Sequence, residues 1–213
     1  MSYSLEILPS LLHGAVTTLK VFALVLLFSI PLGILIAFAM QLKWKPLNWF
    51  IDIYIWVMRG TPLLLQLIFI YYVLPSVGIR LDRLPAALIA FTLNYAAYFA
   101  EIFRGGIDTI PKGQYEAAKV LKFTPGATIR YIVLPQVTKI VLPSVFNEIM
   151  SLVKDTSLVY ALGISDLILA SRTAANRDAS LVPMFLAGAI YLIVIGIVTL
   201  VAKRIEKKFS YYK

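Results

Sequence analysis

The chain has 213 residues, of which 60% are hydrophobic and 15% charged, against roughly 45–50% and about 25% in soluble globular chains. That leaves too little polar surface to cover a water-soluble fold, and it excludes disorder and collagen-like structure as well. There is no cysteine and one histidine, His13, so disulfides, thiolate sites and a histidine-rich metal centre are excluded; we expect no metal site and no catalytic residue.

A bilayer core takes about 20 predominantly apolar helical residues. Five stretches of the sequence meet this condition. The first covers about 14–40, with Lys20 near its start, where a long stem can snorkel. No Lys or Arg precedes it and its apolar run is too long for an h-region, so a span is expected there, not a cleavable signal peptide. The second covers about 53–74 and the third 85–105. The fourth begins near 136 and weakens at Lys154-Asp155, and the fifth covers about 183–202. The fold class predicted is an all-α membrane protein, a single transmembrane domain over 1–213.

Orientation follows from the basic residues. One set of alternate loops and the tail holds thirteen: Lys43 and Lys45, then six from Arg104 to Lys139, then five from Lys203 to Lys213. The other set holds four: Arg80, Arg83, Arg172 and Arg177. This places the N-terminus outside and the C-terminus in the cytoplasm. It also accounts for the net charge of +9 without a nucleic-acid partner. There is no G-x-x-x-x-G-K-[ST] loop, no H-E-x-x-H and no G-x-S-x-G. His13, ahead of the first span, is given no role.

The segment 107–135 is far longer than a connector of about 2–8 residues. It reads as two amphipathic helices. One covers about 113–122; the other follows Thr124-Pro125, an N-cap with proline at the first helical position, and runs to about 133. Pro135 then opens the fourth span. A structured cytoplasmic loop of this kind either docks a soluble partner or lies on lipid, and the physics of the segment leaves both open.

Within it, Glu116-Ala117-Ala118, Ile132 and Leu134-Pro135 resemble the EAA loop of ABC-importer permeases. That family usually has glycine where this chain has Lys122, so the turn is expected to be rearranged, with Gly126 available to it. Three further segments resemble the polar amino-acid branch: the run from Arg59 to Gln66, the run from Tyr98 to Ile107, and Lys154 to Leu158. The resemblance spans roughly 10–208. It implies a type I importer permease fold in the inner membrane, pairing with a second permease subunit. It also implies two cytoplasmic ATPase subunits docked on the loop through Glu116, Ala117, Ala118, Lys122 and Gly126, and an external amino-acid-binding protein. ATP and Mg would reside on the ATPase, with no cofactor in this chain and no enzymatic role for it.

Ionisable groups inside a span are costly and mark function. Glu101 and Arg104 are three residues apart on one helical face, which predicts an ion pair. Glu148 lies about 18 Å beyond Gln136, near the midplane, with Asn147 and Ser151 beside it and no basic residue one turn away. Asp155 is two turns on, on the same face, about 10 Å along the axis. Either these carboxylates contact substrate, or Glu148 is protonated or paired with a basic residue on another span. Asn94 and Tyr98 share a face one turn apart, and they either line the path or bond between helices. Thr61 and Gln66 add polar groups, and Pro62 frees backbone carbonyls. The reading that follows is an ATP-driven permease for basic amino acids, arginine, lysine or histidine. Glu148 takes the side chain, Asp155 the α-amino group, and Asn94, Thr61, Gln66 or backbone N–H groups the α-carboxylate. The alternatives are a permease for glutamine or another neutral polar amino acid, a secondary transporter or channel, and a purely structural membrane subunit.

Overall fold

The computed structural model describes residues 2–42 and 44–209, so Lys43 and Lys213, two of the basic residues used for orientation, lie outside the described residues. Every element among these residues is helical. Helix α1 is Ser2–Met40, about 58 Å at 1.5 Å per residue. It starts well before position 14, so its first turns project beyond a core of about 30 Å.

The second predicted span is not one straight helix. Helix α2, Lys45–Gly60, ends at Thr61-Pro62. Helix α3, Leu63–Ile68, then continues through a π turn, Phe69–Val73, and a 3-10 turn, Leu74–Val77, at 106° to α2. The cause is local. Pro62 disfavours the helical region for the residue before it, and Thr61 is extended at φ −119°, ψ 147°.

Helix α4 is Arg83–Asp108, a few residues longer than predicted at each end. Helix α5 is Lys112–Val120. Helix α6, Pro125–Thr128, passes through a π turn, Ile129–Val133, directly into α7, Leu134–Asp155. Proline 135 therefore does not open a separate span, and the second loop helix is the N-terminal end of the fourth one. Proline lacks an N–H and would leave a carbonyl orphaned in a regular ladder. The π turn, Ile129–Val133, shifts the ladder just ahead of Pro135, and the Gln136 amide donates to the Ile132 carbonyl at 2.8 Å.

A 3-10 segment, Thr156–Leu162, follows α7, and Gly163 turns the chain at φ 71°. Helix α8, Leu167–Asp178, lies where the sequence predicted only a loop. Its N-cap is Asp166, whose carboxylate accepts from the backbone N–H of Leu169 at 2.8 Å and Ile168 at 3.2 Å. Helix α9 is Val182–Phe209. Four helices are long and apolar enough to span a bilayer, and five if the bent α2–α3 pair counts as one.

Lipid tails are as apolar as leucine, so these helices associate through close packing. Helix α4 is the hub. Ala86, Ala90, Ala96, Ala97 and Ala100 are all buried, and α4 makes its most extensive contact with α1. At that contact a Cβ on Gly33 would stand 2.6 Å from the Phe99 Cβ and 3.0 Å from the Ala96 carbonyl oxygen. On its other side α4 brings Gly106 against Val141 of α7. The main core gathers Val21 and Val25 of α1, Phe91, Tyr95 and Phe99 of α4, and Leu152 of α7.

Candidate functional site

The break between α2 and α3 is held by side chains. The last carbonyls of α2 have lost their intrahelical partners, and in a membrane they need others. Asn94 of α4 donates to the Met58 carbonyl at 2.8 Å, and Gln66 donates to it at 3.0 Å. The Thr61 hydroxyl donates to the Val57 carbonyl at 2.8 Å, while Gln66 also donates to Thr61 Oγ1 at 2.8 Å. Asn94 donates to Gln66 Oε1 at 3.0 Å. So Thr61, Gln66 and Asn94 do come together, but their donor hydrogens terminate the bent helix. They are not the free donors for a carboxylate that the sequence suggested. An apolar cleft of about 490 Å³ between α2, α3 and α4 is lined by Thr61 and Gln66 with Val57, Leu65 and Phe69, and neither Glu148 nor Asp155 lines it.

Deeper in the bundle the charged groups converge. Asp155, the last residue of α7, accepts a hydrogen bond from the Tyr95 hydroxyl at 2.7 Å. Tyr95 is 1% exposed, and its ring lies 6.2 Å from that of Tyr98. The Arg59 guanidinium, near the end of α2, stands 5.3 Å over the Tyr98 ring, with Nη1 3.7 Å from Glu101 Oε1. Helices α4 and α7 run antiparallel. With Tyr95 against Asp155 and Gly106 against Val141, the register sets Glu148 beside residues 99–102. Glu148, Ser151 and Asp155 are all half-buried on α7, and Asn147 is exposed. Sequence reasoning left Arg59 and Tyr95 without a role. The aromatic run at 91, 95 and 99 was a signal for Tyr95, and the signal for Arg59 was its charge inside the second predicted span, 53–74.

Arg104 donates to Glu101 through Nε at 3.0 Å and Nη2 at 2.6 Å, and to Asp108 Oδ2 through Nη1 at 2.8 Å. Its guanidinium is thereby committed to two carboxylates at the C-terminal end of α4.

On the loop, Glu116 and Ala117 are exposed on α5 and Ala118 is buried. The predicted rearrangement through Gly126 does not occur. Lys122 itself adopts the left-handed conformation at φ 57°, and the N–H of Phe123 donates to the Ala118 carbonyl at 3.0 Å, closing the C-terminal turn of α5. Gly126 sits in α6, whose N-cap Thr124 accepts from Ala127 N–H at 3.2 Å.

At the opposite end, Asp178 of α8 accepts from the Tyr3 hydroxyl at 2.7 Å and from Arg177 Nε and Nη2, each at 2.7 Å. The Arg177 guanidinium, and then the Tyr3 hydroxyl, hold the Asp178 carboxyl down at about 2. No cluster of acidic or histidine residues able to hold a metal occurs among the described residues.

Residues 29–211 match the family described as binding-protein-dependent transport system inner membrane component. The chain is 36% identical over 205 residues to the arginine transport system permease protein ArtQ of Bacillus subtilis (strain 168), covering 95% of this chain and 94% of that one. It is 36% identical over 206 residues to the L-cystine transport system permease protein TcyB of the same organism, covering 96% and 88%. Its fold superimposes on the crystal structure of an amino acid ABC transporter with histidines at a TM-score of 0.89 and 30% identity, covering 97% of each chain.

Proposed function

The chain belongs to the family of binding-protein-dependent transport system inner membrane components, and from that premise we propose that it is the permease subunit of an ATP-driven importer of basic amino acids. The observation that carries the substrate class is the α7 pair, Glu148 and Asp155, half-buried on one face at membrane depth. A carboxylate there is stabilised by a cation, and a guanidinium can engage it through two parallel hydrogen bonds. An anionic substrate would be repelled by both groups. Of the similar proteins, one is named for arginine and another is described with histidines, which agrees with a basic substrate. The L-cystine relative is equally similar, so overall identity does not choose between substrates, and the charges must.

In this reading Glu148 takes the substrate side chain and Asp155, steadied by Tyr95, takes the α-amino group. Ser151 and Tyr98 line the same space. Thr61, Gln66 and Asn94 shape it by fixing the bend. The Glu101–Arg104 pair anchors the cytoplasmic end of α4. The N-terminus is outside and the C-terminus cytoplasmic. Two permease subunits face each other across the path, and each cytoplasmic loop, through Glu116 to Ala118 and the turn at Lys122, receives an ATPase subunit that carries ATP and Mg. An external binding protein delivers the amino acid.

The test is uptake by the importer reconstituted in liposomes with its ATPase and binding protein. ATP-dependent uptake of arginine, lysine or histidine is expected, with Glu148→Gln cutting it at least tenfold and far more than uptake of any neutral amino acid. Preferred transport of glutamate, or unchanged arginine uptake by Glu148→Gln, refutes the assignment.

A further inference from the structure

Helix α9 is the least buried of the membrane-length helices. Its exposed positions form one stripe. Leu192, Ile193, Gly196, Ile197, Leu200 and Val201 are exposed in turn, the spacing of a single helical face. The stripe continues through Lys203, Arg204, Lys207 and Lys208, and all four are exposed. The residues between them, Ile205 and Glu206, are half-buried. The outward face therefore changes from wholly apolar to wholly cationic within one turn. The bias of basic residues toward one side of the membrane explains their number at this end, but not their confinement to one face.

The cations are not neutralised from within the fold. Among the described residues, no ion pair involves Lys203, Arg204 or Lys208. The Thr199 hydroxyl contacts Met150 Sδ at 3.3 Å, and Ala187 packs with Leu167, so α9 runs antiparallel to α7. Residues 138–146 of α7 consequently lie beside this end of α9, and they include Lys139 and no acid.

The dimensions fit one class of ligand. From Leu192 to Lys203 is about 17 Å along the axis, close to the ~15 Å of a single leaflet of the hydrocarbon core. A Cβ on Gly196 would meet nothing within 4 Å, so the apolar lane is notched between Leu192 and Leu200. We propose that the outward face of α9 is a binding site for an anionic phospholipid. The phosphodiester sits on Arg204 and Lys208, one turn apart, and an acyl chain lies along the lane through Gly196. A guanidinium meets phosphate oxygens with two N–H donors, and an ammonium meets them as a point charge. A second copy of the chain, crossing the membrane in the same direction, would set these cations against their own counterparts. A soluble acidic partner would reach the cations but not the lane. The site is separate from the carboxylates of α7, and it holds whichever amino acid the chain carries.

The experiment is native mass spectrometry of the detergent-purified permease–ATPase complex, titrated with phosphatidylglycerol or phosphatidylcholine. Each basic residue at an anionic surface contributes about a fivefold factor in affinity. The wild type should therefore hold phosphatidylglycerol about tenfold more tightly than phosphatidylcholine, and Arg204→Gln with Lys208→Gln should bring the ratio close to one. Lys45→Gln with Arg80→Gln removes the same charge at other exposed positions and should leave the ratio unchanged, as should the charge-conserving exchange Arg204→Lys with Lys208→Arg. Gly196→Trp fills the notch and should weaken both lipids while keeping the ratio. A wild type without preference, or an unchanged ratio in the Arg204→Gln, Lys208→Gln variant, overturns the proposal. Displacement of phosphatidylglycerol by inorganic phosphate would make this a free-anion site. Loss of the ATPase or of a second permease subunit from the double variant would make the cations a protein contact. Either result also overturns it.

Discussion

Asn94 and Gln66, 28 positions apart, are joined by a 3.0 Å hydrogen bond and both donate to the Met58 carbonyl. The 106° bend that Pro62 imposes on the span is thereby held in place. Asn94→Leu leaves that carbonyl short of a donor, and Gln66→Leu strips the bend of four hydrogen bonds. An unmade bond to a buried group costs about 1–3 kcal/mol. Both variants should lower the melting temperature of the detergent-solubilised subunit, and the double variant should cost less than the sum of the singles because the two side chains share one network. Strict additivity would mean that they act independently.

Lys122 occupies a left-handed conformation at φ 57°. For a residue with a Cβ this costs roughly 1–2 kcal/mol relative to glycine. Lys122→Gly is expected to stabilise the C-terminal turn of α5 by about 1 kcal/mol, read as slower amide exchange at residues 118–123. Lys122→Val, β-branched, should speed it. Equal exchange in all three would show that the turn carries no strain.

Gly33 sets the approach of α1 to α4. A methyl there meets the Ala100 amide nitrogen and Ala96 carbonyl oxygen, both 3.0 Å away, and neither backbone atom can turn aside. Gly33→Ala should destabilise by about 1–3 kcal/mol. Gly188→Ala on α9, where a Cβ would meet nothing within 4 Å, is the control and should melt like the wild type.

The Asp178 carboxyl titrates near 2 in the folded chain, below its unfolded value of about 3.9. A depressed carboxylate contributes stability that is present above the unfolded value and is lost as pH falls through the folded one. The tie between the start of α1 and the end of α8 should therefore hold at pH 5 and weaken between about pH 4 and 2. Amide exchange at residues 3–8 should rise over that window in the wild type and lose its acid dependence in Asp178→Asn. A rise centred near neutral pH would contradict the assignment.

Glu116 is exposed on α5 and far from the membrane-depth charges. Glu116→Lys should insert and fold normally, yet uncouple uptake from ATP hydrolysis or weaken ATPase association on size-exclusion chromatography. Normal ATP-driven uptake by that variant would remove the loop from the coupling role.

Much of this architecture could be read from hydropathy, because a bilayer imposes length and apolarity on each span. The third and fifth spans were legible nearly to their ends, since α4 and α9 are uninterrupted. The second was not, because hydropathy is blind to direction: 53–74 is apolar on both sides of Thr61-Pro62, and part of what holds the bend comes from Asn94 on another helix. Helix α8 was overlooked because 167–178 is too short and polar for a span, although Asp166 ahead of Leu167 is an N-cap signal. In the site, the face shared by Glu148 and Asp155 follows from helical periodicity alone. Arg59 was visible as a charge inside the second predicted span, but its neighbours Tyr98 and Glu101 were not, because they are about forty positions away.

Between Pro125 and Leu162 no break intervenes, only changes of helical pitch. The tip at Pro125 and the two carboxylates of α7 consequently form a single lever. From Pro125 to Glu148 is about 35 Å at 1.5 Å per residue, and Gly106 against Val141, where a side chain on α4 would leave no room, is the natural fulcrum. A tilt imposed at the tip therefore swings Glu148 and Asp155 the opposite way about that contact. Arg59 and Tyr98 belong to other helices and stay behind, so one rigid motion changes the spacing between the anionic and cationic walls of the site.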